Sequence, residues 1–410
     1  MNGAASVSRE RQRILSIDLG SSSLKFAVFE VGAVDEQRIL EGGIDRLAAP
    51  DAELSIRDDR DPPRREMRRP LGRASPIAAV LEALHELGVH IDAVGHRLVY
   101  GGHTRELPTI VTAELLEALT ALTPFDPLHM PAALAAIREI ETSLPWLPQV
   151  VCFDTAFHRR MPAVAQRLPL PRQLWTEGVQ RYGFHGLSYE SIVRKLGAEG
   201  TRGRMLVAHL GNGASLAAIR DGRSVDTTMG FTALGGLMMG TRPGDLDPGI
   251  LLYLLRERGY TLRDLTDLVT DRSGLLGVSD MSADMRTLLE RRADNEAAAQ
   301  AVELFVYQAK KYVGALAAVL GGLDTLVFTG GIGERAAPVR WEIAQGLAHL
   351  GVKLDPARNA AGAAIISADG AGVVVRVIVS QENLMVARHT YSTLFESSVA
   401  EMTDAATVRT

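Results

Sequence analysis

Cysteine is almost missing from this chain: Cys152 is the single one in 410 residues. That excludes an intrachain disulfide framework and a cysteine-based zinc site, and it fits a reducing compartment. Long apolar runs are absent too. No window of about 18 uncharged apolar residues occurs, so no membrane-spanning helix is expected. The opening MNGAASVSRERQR has no apolar signal core, which makes a cytoplasmic location the expectation. A surplus of positive charge is likewise lacking. The formal net charge is −5, which argues against a general nucleic-acid binder. His158, His185 and His209 have no H-E-x-x-H spacing, so a histidine zinc site is not expected.

What is present is an ordinary globular profile, 46% hydrophobic and 23% charged, in a chain long enough for two or three domains. Residues 13–31 alternate as two hairpin strands around a Gly-Ser turn. Residues 57–73 mix acids with arginines and read as a solvated loop or edge hairpin. Helices are expected over 76–88 with Gly88 as the stop, and over 112–122, 130–143, 248–258, 261–270 and 295–320. A buried strand with acid and histidine at its end is expected over 149–158, strand, Gly turn, strand and hairpin turn over 205–228, a strand running into glycines and a helix over 324–335, and a strand over 373–380 followed by a helix.

One pattern occurs twice. LGSSSLKFAVFEVG (19–32) and LGNGASLAAIRDG (210–222) both run apolar strand, Leu-Gly, small-residue turn, apolar strand, hairpin. A chance likeness of two glycine hairpins reads the same way. If the repeat is real, the halves are related domains.

Three groups of residues carry chemistry. The first is the Gly/Ser turns. Ser21, Ser23 and Lys25 share one face of a strand, because the side-chain period is two, and hydroxyls, an ammonium and open backbone N–H groups can hold phosphate. The spacing is not that of a P-loop. TGGIGE (329–334) is either a tight strand-to-helix turn or a place where backbone approaches a nucleotide. The second group is Arg97 in GHRLVYGG and Arg242 in GTRPGDLDPG, each among glycines, a setting suited to bidentate binding of carboxylate or phosphate. The third is Asp154, at the end of a buried run, and His185 in RYGFHG. Either can be a satisfied structural residue or part of a site at a strand end.

Taken together, GSSSLKF, GHRLVYGG, DPLHMP, FDTAFH, RYGFHG, HLGNGAS, DTTMGFTALGGLMMGTRPGDLDPG, FTGGIGE and SQENLMVAR resemble the acetate kinase family, in the family's order and over nearly the whole chain. The resemblance implies an α/β fold of duplicated actin-like ATPase (ribonuclease H-like) domains around a central nucleotide cleft. The domains expected are residues 13–150 with 382–410, and 151–381. It implies Mg²⁺-dependent (Mn²⁺ is an alternative), reversible transfer of the ATP γ-phosphoryl group to acetate, giving ADP and acetyl phosphate, by a homodimer. Such transfer leaves the protein mostly positioning and charge neutralisation to do. By motif, Asp154, His185 and Arg242 are the implied catalytic residues. Arg97 with a methyl pocket of Val99, Leu128, Phe184 and Ala233 would hold acetate. Ser21, Ser23, Lys25, His209, Gly211, Asn212 and Gly213 would line the phosphates. Asp284 and Arg286, with Gly330, Gly331, Ile332 and Gly333, would hold adenosine. Asp18 and Glu382 would organise the metal.

The chain departs from the family's usual pattern at Asp18 (usually Asn), Tyr100 and Tyr189 (usually His), Ala233 (usually Pro) and Gly235 (usually Glu). An alanine at 233 would loosen the methyl pocket toward propionate, since one or two methylenes discriminate by only about 1–3 kcal/mol. Rival readings are a propionate or butyrate kinase, a hydroxyl-phosphorylating sugar-kinase relative, and a nucleotide-binding regulator.

Overall fold

The computed structural model describes residues 11–20, 23–47, 49, 51–59, 65–72, 74–102, 107–125 and 129–396. Two of the residues named above, Ser21 and Leu128, lie outside them. The chain divides into two compact units, Met1–Ala156 with Gln381–Thr410, and Phe157–Ser380.

The first unit is built on an eight-stranded sheet in the order β5-β4-β3-β2-β1-β6-β8-β7. Its strands are β1 (Gln12–Leu19), β2 (Ser23–Val31), β3 (Glu36–Asp45), β4 (Glu53–Asp58), β5 (Arg65–Pro70), β6 (Ala93–Leu98), β7 (Thr109–Ile110) and β8 (Gln149–Phe153). β1 to β5 form an antiparallel meander, whereas β1, β6 and β8 run parallel. The described residues of the charged 57–73 stretch fall on or beside the antiparallel strands β4 and β5 at the sheet edge; residues 60–64 and 73 lie outside the described ones. Alternation on β2 buries Leu24 and Phe26 and leaves Lys25 exposed.

Helices cover both faces. α1 (Pro76–Glu86) starts on a Ser75 cap, whose hydroxyl accepts from the Ala78 amide at 3.0 Å, and ends before Gly88 at φ 62°. With α2 (Met130–Ser143) it packs Ile77, Val80, Leu84, Ala136 and Ile140 against Leu15, Ile17, Phe26 and Val94. The opposite face, Ile14, Ala27, Phe29 and Val31, is closed by Ala387 and Tyr391 of the C-terminal helix Glu382–Tyr391. That helix sits tightly on β6: a Cβ on Gly95 would stand 2.3 Å from Thr390 Oγ1 and 2.6 Å from Val386 Cγ1.

The second unit holds a five-stranded sheet in the order β11-β10-β9-β12-β13. Its strands are β9 (Arg204–Leu210), β10 (Ala214–Arg220), β11 (Arg223–Thr227), β12 (Thr325–Thr329) and β13 (Val374–Val377). β9, β10 and β11 are antiparallel neighbours, and β9, β12 and β13 are parallel. The order and senses repeat β3-β2-β1-β6-β8 of the first unit. The turns repeat as well. Gly20 N–H donates to Ser23 O at 2.9 Å, and Gly211 N–H donates to Gly213 O at 3.0 Å, one residue shorter. The duplicated α/β architecture is thus the one expected, and the hairpin repeat is a real equivalence.

Two boundaries differ from expectation. A division at residue 150/151 would cut β8, which pairs with β6 over Gln149–Phe153; the first unit accordingly runs to Ala156 and includes Asp154. The strand expected over 373–380 ends at Val377, because the chain turns there and Ser380 N–H donates to Glu334 Oε1 at 3.2 Å.

Candidate active site

In the first unit the parallel strands β1, β6 and β8 deliver their carboxyl ends side by side, where α/β sites form. Asp18 lies near the end of β1, Arg97 near the end of β6, and Asp154 directly after β8, its amide donating to Leu98 O at 2.9 Å. Glu382 opens the C-terminal helix. Arg97 joins them. Its Nη1 donates to Asp18 Oδ1 at 2.8 Å and its Nε to Asp154 Oδ2 at 3.1 Å, with Nη2 on the same Asp154 oxygen. Glu382 Oε2 stands 3.6 Å from Nε. Asp18 also faces Lys25 as its cross-strand partner on β2.

Three carboxylates around one guanidinium set the electrostatics. Burial works against the charge on Arg97, but Asp154, then Asp18 and Glu382, outweigh it and hold the guanidinium above its ordinary range. Burial pushes Glu382 up to about 7; Arg97 opposes that shift, Asp154 and Asp18 add to it, and Lys25 opposes it again. Asp154 is fully buried, and its Oδ1 has no hydrogen-bond partner. Among the described residues no three Asp, Glu, His or Cys side chains converge as a ready metal-binding group. The donor set nevertheless fits a divalent cation of the Mg²⁺ kind, which takes one or two carboxylates and completes its shell with phosphate oxygens and water. The excess of negative charge and the orphaned Asp154 oxygen both favour an incoming positive or proton-donating group.

In the second unit the site is built on imidazoles. His185 precedes the helix Gly186–Gly200 in a left-handed conformation, φ 58° and ψ 26°. Its Nδ1 lies 2.8 Å from Ser215 Oγ on β10. His209 on β9 has its Nδ1 2.8 Å from Ser188 Oγ, which is 2.9 Å from Ser380 Oγ. The two rings stack, centroids 4.2 Å apart at 16°. With both Nδ1 atoms anchored by serines, both Nε2 atoms turn toward the glycine turn. A Cβ on Gly213 would meet His185 Nε2 and Arg242 Nη2, each at 3.1 Å, and one on Gly211 would stand 3.7 Å from His209 Nε2. Glycine thus lets a guanidinium and an imidazole close in on the turn, a gathering of nitrogen groups of the kind that binds phosphoryl oxygens. Arg242 is oriented by its Nη1, which donates to Ala233 O at 2.8 Å. Asn212 is held by Gly240, whose amide donates to Asn212 O at 2.9 Å; a Cβ there would fall 1.9 Å from Asn212 Oδ1.

The remaining expected residues are placed as follows. Val99 and Ala233 are half-buried and Phe184 is buried. The Phe184 carbonyl accepts from His158 Nε2 at 3.1 Å, so His158 is a structural residue, with burial lowering it to about 4. Asp284 caps the short helix Met285–Arg291, accepting from the Arg286 amide at 2.9 Å, and both residues are exposed. Gly330 has φ 75° and admits Leu210 O at 2.7 Å from where a Cβ would be; Gly331 is exposed and open. Ile332 is half-buried and Gly333 is buried. Ser23 lies beside Lys25 on β2.

Sequence reasoning passed over Ser188, Ser215, Ser380 and Glu334. Ser215 did leave a trace, a lone hydroxyl in the buried run ASLAAI. So did Glu334, an acid within a glycine turn, whose Oε1 accepts from Gly330 N at 3.0 Å. Ser188 and Ser380 meet across 192 positions of sequence, which no local pattern can show.

Two units of one strand order, each ending its parallel strands in polar side chains, form a duplicated α/β fold of the actin-like kind. The comparisons with known proteins narrow this. The profile of the acetokinase family matches residues 13–388. An acetate kinase of Rhodopseudomonas palustris is 47% identical over 390 residues, covering 92% of this chain and 97% of that protein. A propionate kinase from Francisella tularensis is similar in structure, with a TM-score of 0.86, 34% identity and coverage of 93% and 99%. Porphyromonas gingivalis acetate kinase has a TM-score of 0.82, 36% identity and coverage of 93% and 100%. The chain belongs to the acetokinase family.

Proposed function

We propose that this protein is an acetate kinase, moving the γ-phosphoryl group of ATP to acetate and back. The observation that carries the reading is the convergence of Arg242 Nη2 and His185 Nε2 on Gly213, nitrogen groups matched to the oxygens of a transferring phosphoryl group. Arg242 Nη2 and His185 Nε2 stabilise charge on those oxygens, and His209 and Asn212 hold the nucleotide phosphates. Arg97 binds the acetate carboxylate, with Asp154 fixing its guanidinium. Acetate is ionised at neutral pH, so no general base is required. Phe184, Val99, Leu128 and Ala233 take the methyl group. The adenosine falls to Asp284, Arg286 and the glycines 330–333. Asp18 and Glu382 would hold Mg²⁺, with Ser21, Ser23 and Lys25 on the phosphates. The metal, when bound, neutralises phosphate charge and so lowers the cost of bringing an anion to an anion. Glu382 must give up its proton for that role; burial opposes this, so binding of the cation would release a proton near neutral pH.

A second reading, propionate as the preferred acyl acceptor, is favoured by Ala233 and by the likeness to a propionate kinase. One experiment separates these readings. Acetate, propionate and butyrate are compared with Mg-ATP, and the product is trapped with hydroxylamine. Hydroxamate from acetate at the highest kcat/KM supports the first reading. A preference for propionate supports the second, and no hydroxamate from any acid sinks both.

The protein is also proposed to be a cytoplasmic homodimer. No described helix is long and apolar enough to cross a membrane. The helix Pro248–Glu257 buries none of its residues within its own unit, and Ile250, Leu252, Tyr253 and Leu255 are 43–51% exposed. That is a surface for a second copy. Light scattering should give twice the chain mass, and Leu252→Glu with Leu255→Glu should reduce it to one.

A further inference from the structure

We propose that Tyr189, through Ser215, sets the tautomer of His185 and is a positioning residue for phosphoryl transfer. The inference rests on the role given above to His185 and extends it. Tyr189 lies one helical turn after His185 on Gly186–Gly200, and its amide donates to His185 O at 3.1 Å. Its ring is fully buried and wedged against Phe157, centroids 6.1 Å apart, and His158, centroids 5.4 Å apart at 74°. That packing fixes where the phenol points: its hydroxyl bonds Ser215 Oγ. Ser215 is itself fully buried, and the same Oγ lies 2.8 Å from His185 Nδ1. A buried serine thus stands between a phenol and an imidazole.

The protons decide the direction. A serine hydroxyl has one proton and two lone pairs. The phenol is the better acid of the two hydroxyls, so it donates to Ser215 Oγ. Ser215 then turns its own proton onto His185 Nδ1, the better base. The imidazole proton is thereby kept on Nε2, the nitrogen that faces Gly213 beside Arg242 Nη2. An Nε2–H is a donor to a phosphoryl oxygen, whereas a bare Nε2 lone pair would repel it. His209 has the same arrangement with Ser188 at its Nδ1, but there the next group is a second serine, Ser380, rather than a phenol. The chain's tyrosine at 189, where its resemblance predicts histidine, thus has a use.

The test is Tyr189→Phe, which keeps the ring and its packing and removes only the hydroxyl, in the full chain. Nitrogen-15 spectra of labelled histidine, with the His185 signals assigned against His185→Gln, should show a protonated Nε2 in the unaltered protein. In Tyr189→Phe they should show a shift toward a tautomer mixture. Turnover should fall about tenfold with KM for ATP and acetate within twofold, since the lost bond acts on the transition state. Ser215→Ala should give the same spectral shift. An unchanged His185 tautomer in Tyr189→Phe overturns the proposal, as does a loss confined to KM. If the unaltered protein made no acyl phosphate, the kinase reading would fall, and the spectra would still decide the relay.

Discussion

The two units place different chemistry on one frame. In the first, the cross-strand pair just before the glycine turn is Asp18 with Lys25. In the second, the pair at the corresponding place is His209 with Ser215. The next strand over supplies Arg97 in one and Thr329 in the other, and the strand beyond is followed by Asp154 in one and Ser380 in the other. The first unit is a knot of carboxylates around a guanidinium; the second gathers hydroxyls, imidazoles and the Arg242 guanidinium about a glycine turn. The strand ends fix where side chains point, and the residue types then set whether the place binds by charge or by hydrogen bonds.

Removing the arginine from each unit should break the likeness most visibly. Arg97→Ala leaves three carboxylates facing one another. Breaking a largely buried ion pair costs about 3–5 kcal/mol, so the melting temperature should drop sharply along with activity. Arg242→Ala should lower turnover by about 10²–10³, the usual loss on removing a donor to transition-state charge, at a nearly unchanged melting temperature. Thermal melts alongside hydroxamate assays check both. Equal destabilisation by the two substitutions would show that the charge knot is no more structural than the donor cluster.

Acid should act on both units alike. Each buries one neutral histidine, His96 beside Gln149 Oε1 at 2.7 Å and His158 between Ser224 and the Phe184 carbonyl. Burial lowers both to about 4, against the hydrogen bonds they make. The unfolded chain therefore takes up these protons first. Stability is whole above about pH 6.5 and is lost as the pH falls toward 4, by on the order of 3 kcal/mol per histidine at most. Denaturant midpoints measured across that window should fall, and His96→Gln or His158→Gln should each flatten the slope.

The smallest effect belongs to Asp18→Asn. It keeps an oxygen for Arg97 Nη1 and removes one of three negative charges. Activity should persist with a changed Mg²⁺ concentration for half-maximal rate, read from a metal titration. An unchanged titration would take Asp18 away from the metal.

Much of this was legible in the sequence because it is local. The glycine turns, the strand-end polar residues and the helix stop at Gly88 all announce themselves within a few positions. The hairpin repeat was legible as a pattern and became an equivalence only when both sheets showed the same order. Residues joined by sheet order were hidden: Ser380 reaches Ser188 only because β13 lies beside β12, and β12 beside β9. The break after β8 was missed because a buried apolar run does not reveal which sheet it joins.

The C-terminal helix also has a consequence for synthesis. Residues 157–380 are contiguous, so the second unit can complete its sheet while the ribosome is still at work. The first unit begins earlier yet finishes later. Until residues 382–391 emerge, Ile14, Ala27, Phe29 and Val31 lack their cover and Arg97 lacks its third carboxylate. The newborn first unit is thus the aggregation-prone one, waiting with a bare greasy face for the tail to arrive.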